Sequence, residues 1–481
     1  MGQVERVLPM KISDREAAVA FLTQRINYEQ TSAIPYRSRS FKLDRMRILL
    51  RHLGDPHLRL QVVHLAGTKG KGSTSHIIAS ILSASGYRVG LYTSPHLERI
   101  EERFLIDGSP CSEQDLVETV QRVAAAAEAM QHESDDSDLI QPTYFEITTA
   151  IALLLFELRC VDFAVCEVGL GGRLDSTNVC APLVTAITSI SIDHTRQLGD
   201  TVAAIAAEKA GIIKTSVPVV CGARDPAARK VIVEEAERQR APCFLVDEDY
   251  AYQYHAGSLV EEYPTRFDFF EGEYALKEMK SQLIGDHQAL NAAVAVATVR
   301  QLAQRGFTFP EEAIRRGVAE TQCPARIEVV QRDPTTIIDS AHNVASIAAL
   351  VTALEPLLET RSSTLVFATS QDKDLRGMLA LLVPHFDRLI CTRYLHNPRA
   401  VSPAEIAGVA NDLVDTTQQV EVRVAENPSA AWRQAQQGGS ELIVVSGSFF
   451  IAGEVRRLVR GVGQSMSGQA MSAPSNVHPT R

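Results

Sequence analysis

His64-Leu65-Ala66-Gly67-Thr68-Lys69-Gly70-Lys71-Gly72-Ser73-Thr74 is the stretch on which the fold turns. Gln61 to Ala66 reads as a buried strand, Gly67 to Ser73 as a glycine-rich loop, and Thr74 to Ser85 as a helix with Ile77, Ile78, Ile81 and Leu82 on one face. Gly86 ends that helix. A strand that turns through glycines into a helix start aims backbone N–H groups and the helix dipole at one point. Lys71, with Ser73 or Thr74, adds a positive charge and a hydroxyl suited to a metal. The general phosphate-loop spacing is not met, because two residues separate Gly67 from Gly70 and Gly72 follows Lys71. On glycine spacing alone, phosphate binding and a plain tight turn both stand.

Outward from this stretch the pattern of apolar strand, polar loop and helix repeats, as in a parallel α/β sheet. Val161 to Val168 and Leu183 to Ile192 read as strands that run into Gly169 to Asn178 and Asp193 to Gly199. Loops at the carboxyl ends of strands are where open α/β sheets bind ligands. Cys323-Pro324 interrupts helical sequence, and a second series of strands follows, ending in Asp339, Ser370 to Asp374, Arg393 to Arg399 and Ser446 to Ser448. The expected α/β architecture is a P-loop-NTPase-like, mostly parallel sheet domain with an N-terminal helical extension over residues 1–323, and a smaller Rossmann-like domain over 324–463. Residues 464–481, rich in Ser, Gln, Met and Pro, are expected to be a disordered tail.

Composition narrows the function classes. With 481 residues the chain exceeds what one core usually serves, and 45% hydrophobic with 22% charged residues is ordinary for a soluble protein. Its apolar runs, such as Ala150 to Phe156, fall far short of the roughly 20 residues a bilayer span needs, and Met1 to Lys11 lacks a signal peptide's apolar region. A cytoplasmic location with no membrane partner is expected. A net charge of −10 argues against nucleic acid, whose binding rests on clustered Lys and Arg. The eight cysteines form no CxxC pair and read as reduced thiols.

Several motifs carry the chemistry. Tyr92-Thr93-Ser94-Pro95-His96-Leu97, with Glu102-Arg103 downstream, lies beyond the next strand, and Thr143-Tyr144-Phe145-Glu146 opens a helix. Glu167-Val168-Gly169-Leu170-Gly171-Gly172-Arg173-Leu174-Asp175-Ser176-Thr177-Asn178 puts a carboxylate at a strand end beside glycines, where it can hold Mg²⁺ or, more simply, pair with a cation. Asp193-His194-Thr195 precedes Glu208-Lys209-Ala210-Gly211-Ile212, whose lysine sits where it would complement a helix dipole. Gly285-Asp286-His287-Gln288-Ala289-Leu290-Asn291 begins a helix with Asp286 as its expected N-cap. Pro324-Ala325-Arg326, Asp339-Ser340-Ala341-His342-Asn343, Asp372-Lys373-Asp374, Asn397-Pro398-Arg399-Ala400 and Ser446-Gly447-Ser448 follow in the second series.

Together these segments, from about Phe41 to Glu454, resemble the folylpolyglutamate synthase and dihydrofolate synthase branch of the Mur ligase superfamily. The resemblance implies an ATP-dependent ligase that activates a carboxylate as an acyl phosphate and joins it to an amino acid. It implies that Gly67, Thr68, Gly70, Lys71, Gly72, Ser73 and Thr74 hold the phosphates of ATP, with Asn291 on the adenine side, Arg326 at the phosphates and Asp339 at the ribose. Two magnesium sites would draw on Ser73, Ser94, Glu167, His194 and a carbamylated Lys209; Lys71, Lys209, His194 and His342 would be the catalytic group. Phe145 and Glu146 would face the folate, His342 and Ser448 the incoming glutamate, and the chain would be a monomer. Phe145 is equally readable as a core aromatic, and Ser446 competes with Ser448. Ala325 and Ser340 stand where the family commonly has Gly.

Two other readings compete. A peptidoglycan ligase of the same superfamily would carry a UDP-binding domain ahead of the phosphate loop, and only about 60 residues precede His64. A regulatory protein that binds nucleotide without turnover would not need Lys71, Ser73, Ser94, Glu167, His194 and Lys209 all present.

Overall fold

The computed structural model describes residues 12–25, 43–133, 141–257, 263–395, 397–414 and 420–469. The chain divides into two compact units, Met1–Cys323 and Pro324–Arg481.

The first unit is built on an eight-stranded sheet of order β4-β3-β2-β5-β1-β6-β7-β8. Its strands are β1 Val62–Ala66, β2 Val89–Tyr92, β3 Phe104–Ile106, β4 Ser109–Pro110, β5 Phe163–Glu167, β6 Pro182–Ile187, β7 Val219–Cys221 and β8 Cys243–Leu245. Pairing from β2 through β8 is parallel, while β3 and β4 add antiparallel strands at one edge. β1 is buried along its whole length because both faces are covered. Val63 and Leu65 pack into a core with Ile77, Ile78, Ile81 and Leu82 of the helix Lys71–Ala84, and Val62 enters a second core with Ile147 and Ile151 of the helix Tyr144–Leu158. The side-chain alternation of a strand thereby locks the height of Gly67 above the sheet.

Beyond the parallel sheet lies a three-stranded antiparallel sheet, β9 Ala251–Ala256, β10 Thr265–Glu271 and β11 Tyr274–Ser281, that the sequence reading did not anticipate. Phe267 and Phe269 of β10 alternate into the first core, between exposed Arg266 and partly exposed Asp268.

The second unit holds a six-stranded sheet of order β12-β13-β17-β14-β15-β16, parallel except for β12. Its strands are β12 Glu328–Arg332, β13 Thr335–Ile338, β14 Ser363–Phe367, β15 Arg388–Cys391, β16 Glu421–Val424 and β17 Leu442–Ser446. β17 inserts between β13 and β14, so the loops after these strands open where the chain direction across the sheet reverses. The last helix, Phe449–Gln469, runs past residue 464 into the segment expected to lack structure, and 470–481 lie outside the described residues. Among the described residues no helix is long and apolar enough to cross a membrane, and the cysteines are free thiols.

Three local expectations are corrected. β6 stops at Ile187, not Ile192, because Thr188 and Ser189 turn their hydroxyls to the carbonyl of Lys69 instead of extending the ladder. The helix after the glycine loop starts at Lys71, three residues earlier than read, since Gly70 adopts the left-handed conformation that ends the loop. Asp286 is the first helical residue and not the cap: Gly285 holds that place, and the Asp286 carboxylate accepts a hydrogen bond from Tyr252 Oη at 3.0 Å.

Candidate active site

The glycine loop is pressed against the residues that follow β6. Thr68 N–H donates to Ser189 O at 2.8 Å, its hydroxyl to Ser191 O at 3.2 Å, and Thr188 Oγ1 donates to Lys69 O at 2.7 Å. Gly67, with φ +152°, leaves no room for a side chain: a Cβ there would lie 1.8 Å from Thr188 Oγ1. At Gly70, with φ +84°, a Cβ would meet Asn291 Oδ1 at 2.1 Å. Gly70 is the N-cap of the helix Lys71–Ala84 and supplies no side-chain acceptor, so the first amides of that helix, Lys71, Gly72 and Ser73 among them, are left for a ligand. Ser73 and Thr74 are buried in this first turn. Asn291 stands against Gly70, its Nδ2 donating to Gln288 Oε1 at 2.9 Å.

Cations gather at the same place. Lys209 comes from the last turn of the helix Val202–Ala210 and is 4% exposed. Its Nζ donates to Gly67 O at 2.9 Å. Burial, followed by the charges of Lys71 and Lys69, drives its pKa well below the usual 10.5 against the opposing pull of Asp193 and Asp175. Lys69 Nζ pairs with Asp193 Oδ2 at 2.8 Å. His194, with φ +50°, opens the short helix Thr195–Leu198; its side chain is 46% exposed and its Nε2 lies 4.0 Å from Asp193 Oδ1.

Glu167 is the last residue of β5 and is buried, with Ser94 N–H reaching its Oε2 at 3.4 Å. The loop after it is held by Asp175, whose Oδ2 accepts from Gly169 and Leu170 N–H at 3.0 Å each. Arg173 N–H donates to Glu208 O at 2.8 Å, and Asn178 Nδ2 donates to Gly211 O at 3.0 Å. The Glu167 loop is thus stapled to the end of the helix that carries Lys209. Among the described residues no three His, Cys, Asp or Glu side chains converge. An ion here would need oxygens beyond these side chains, which would suit Mg²⁺ and its preference for phosphate and water oxygens.

Phe145 is partly buried: its ring lies 6.0 Å from that of Tyr92 and covers Gly169, where a Cβ would come within 2.3 Å of it. Glu146, expected on the folate side, is bound by protein groups in this structure. Its carboxylate pairs with Arg45 Nε at 2.8 Å, accepts from Thr143 N–H at 2.7 Å and Thr143 Oγ1 at 2.8 Å, and so closes the capping box that starts the helix Tyr144–Leu158. Buried on both sides, the pair has its oxygens committed to the protein.

In the second unit, Arg326 Nη1 donates to Ser340 Oγ at 2.9 Å, and its guanidinium lies 4.9 Å over the ring of Phe449. His342 flanks the same ring at 5.8 Å and sets its Nδ1 2.9 Å from Ser340 O. Asp339 accepts from Ile327 N–H at 2.8 Å and Ala341 N–H at 2.7 Å; burial raises its pKa while Arg326 and these amides oppose the rise. Ser448 is buried and caps the last helix through Ile451 N–H at 3.2 Å. Arg326, Asp339 and His342 are thus neighbours. Phe449, which organises them, had no signal beyond its place after Ser448. Thr188, Asp175 and Arg45 were also missed as supporting groups, since each acts through tertiary contacts.

Comparison with known proteins accounts for both units. Residues 65–299 match the Mur ligase middle domain and residues 325–449 the Mur ligase glutamate ligase domain. Dihydrofolate synthase/folylpolyglutamate synthase of Bacillus subtilis is 34% identical over 431 residues, spanning 87% of this chain and 95% of its own. Folylpolyglutamate synthase of Lacticaseibacillus casei is 33% identical over 441 residues, spanning 91% and 99%. Mycobacterium tuberculosis folylpolyglutamate synthase, solved with ADP and AMPPCP, is similar with a TM-score of 0.82 at 32% identity over 93% of this chain and 99% of its own. Escherichia coli FolC, solved with DHPP and ADP, is similar at 0.81 and 28% identity over 95% and 100%. Matching such proteins along most of its length in sequence and in fold, the chain belongs to the folylpolyglutamate synthase/dihydrofolate synthase family of Mur ligases.

Proposed function

We propose a division of labour for the ATP-dependent ligation of L-glutamate to folates that this chain carries out. The backbone from Gly67 to Thr74 seats the phosphates of ATP and Lys71 faces them with charge, while Asn291 serves the adenine side. Arg326 contributes charge to the phosphates, Asp339 takes the ribose, and His342 and Ser448 serve the glutamate. Phe145 is the folate-side residue; Glu146 supports it through the helix start and touches no substrate. The observation that carries this reading is the uncapped helix start behind Gly70, with Lys69, Lys71 and the buried Lys209 grouped around the loop.

A carboxylate does not yield to an amine until its oxygen becomes a leaving group. Attack of the folate carboxylate on the γ-phosphate supplies an acyl phosphate, the glutamate amine then adds to the acyl carbon, and phosphate departs. Ser73, Ser94, Glu167 and His194, joined by a carbamylated Lys209, are the residues that would hold two magnesium ions, which when bound neutralise charge on the phosphates. Carbamylation joins an uncharged amine to CO₂ and releases a proton. The buried Lys209, whose pKa burial drives well below the usual 10.5, is suited to that reaction.

Release of ADP and phosphate that requires both tetrahydrofolate and glutamate tests the reading. Release that ignores glutamate contradicts it. Dihydropteroate is a second acceptor that the same chemistry admits, and turnover with dihydropteroate and tetrahydrofolate side by side decides between one activity and two. We further assign the chain to the cytoplasm as a monomer, with small molecules as its partners; light scattering of the purified protein checks the monomer.

A further inference from the structure

We propose that His64 is a positioning residue for the loop that leaves Glu167, acting through the Thr177 hydroxyl and Asp175. It rests on the assignment of Glu167 to the phosphate and magnesium site for its catalytic consequence, though not for its geometry.

His64 lies in β1, three residues before Gly67, fully buried and in register with Cys166 of β5 and Thr185 of β6. A valine or isoleucine would pack at such a position, as Val62 and Val63 do, without bringing polar atoms into the interior. The imidazole Nε2 lies 2.8 Å from Thr177 Oγ1, and that hydroxyl donates to Asp175 Oδ1 at 2.5 Å. A hydroxyl has one proton, so Thr177 must receive its other bond from an Nε2–H. The tautomer is thereby assigned, and Nδ1, which finds no hydrogen-bond partner among the described residues, is left as a bare acceptor. Burial pushes the His64 pKa down to about 3, so the ring is neutral and has a single proton to place.

Downstream of Thr177 the chain of bonds reaches the site. Asp175 also accepts from Thr177 N–H at 3.0 Å, and its second oxygen takes the Gly169 and Leu170 amides. Those amides are the second and third after Glu167. The strand that delivers the phosphate loop and the loop that leaves Glu167 are therefore joined twice, once by the ladder between β1 and β5 and once by this side-chain relay. The ladder fixes Glu167 at the strand end; the relay fixes the direction the chain takes after it.

The experiment uses the full-length chain and the variants Thr177→Val, Thr177→Ser, His64→Leu, His64→Gln and Glu167→Gln. Gln keeps a donor near the position of Nε2, and Leu keeps only bulk. Amide exchange at Gly169 and Leu170 in the ligand-free protein should quicken about tenfold or more in Thr177→Val and His64→Leu, and stay near wild type in Thr177→Ser and His64→Gln. The Mg²⁺ concentration for half-maximal turnover should rise in the same two variants by about tenfold. Nitrogen NMR of His64 should show the proton on Nε2. A His64 proton on Nδ1, unchanged exchange in His64→Leu, or a His64→Gln variant worse than His64→Leu would overturn the proposal, the last because packing alone predicts that order. If Thr177→Val does not fold, the His64 pair and the tautomer still decide. Glu167→Gln separates the two readings: an unaltered Mg²⁺ requirement there retires the metal role of Glu167, while exchange at Gly169 and Leu170 continues to judge the relay.

Discussion

The phosphate loop of the first unit and the Pro324–Ile327 turn of the second both demand left-handed backbone, and they meet that demand with different residues. In the first, Gly67 and Gly70 take positive φ without a Cβ to obstruct them, and neighbouring Thr188 and Asn291 close over the space. In the second, Ala325 sits at φ +54° and Ile327 at φ +49°, a conformation that costs an L-residue about 1–2 kcal/mol. What keeps that turn in place is a ring of side-chain bonds. Glu328 Oε2 accepts Ala325 N–H at 2.9 Å and is itself held by Arg456 Nε at 2.8 Å, while Ser340 donates from both N and Oγ to Ala325 O at 3.0 and 2.9 Å. One loop is shaped by what it lacks and the other by what restrains it, so adding a Cβ harms the first and removing one relieves the second.

The largest effect should follow from closing the glycine space. Gly67→Ala places a Cβ on Thr188 and should reduce turnover by about a thousandfold, the scale of losing preorganised donors, as read by steady-state kinetics. Next comes Lys209→Ala, expected to lose about a hundredfold in turnover and to regain part of it with a short carboxylic acid, while intact protein mass shows one added CO₂ on Lys209. Full activity of Lys209→Ala without added acid would contradict the carbamate.

Without the carbamate, the free amine of Lys209 sets a pH dependence. Its folded pKa lies below the unfolded value of about 10.4, so between the two the unfolded chain binds more protons and stability falls as pH falls. Lys209→Met should remove that slope, which denaturant titrations at several pH values above neutrality measure.

A smaller effect, on stability alone, is expected from the buried Arg45–Glu146 pair. Glu146→Ala should cost about 3–5 kcal/mol of unfolding free energy, because it breaks the buried pair with Arg45, with little change in the KM for folate. A large rise in that KM at unchanged stability would return Glu146 to the substrate. Smallest, and of opposite sign to Gly67→Ala, is Ala325→Gly. Relieving the left-handed strain should raise stability by about 0.5–1 kcal/mol, seen as a higher midpoint in thermal unfolding.

The contrast between the two loops also explains what could be read from the amino acids alone. Gly67 and Gly70 mark their own conformation, and Glu167 marks a strand end because apolar residues precede it and glycines follow. Neither Ala325 nor Ile327 advertises a positive φ, and a β-branched residue argues against one. The pairing of Glu146 was hidden for a different reason: its partner Arg45 is 101 positions away, a distance over which no local pattern reports. β6 was read too long because Thr188 and Ser189 look like strand continuation until the Lys69 carbonyl is placed beside them. The sheet of β9 to β11 had its signal in the alternation of Phe267 and Phe269, masked by the surrounding charges.

The chemistry of the phosphate loop is tested most directly by isotope transfer. Tetrahydrofolate carrying ¹⁸O in the carboxylate that is extended, supplied with ATP and glutamate, should pass one labelled oxygen to the phosphate released, because that oxygen attacks the γ-phosphate and leaves with it. Phosphate released without label, during productive ligation, would contradict an acyl phosphate and with it the role given to the loop.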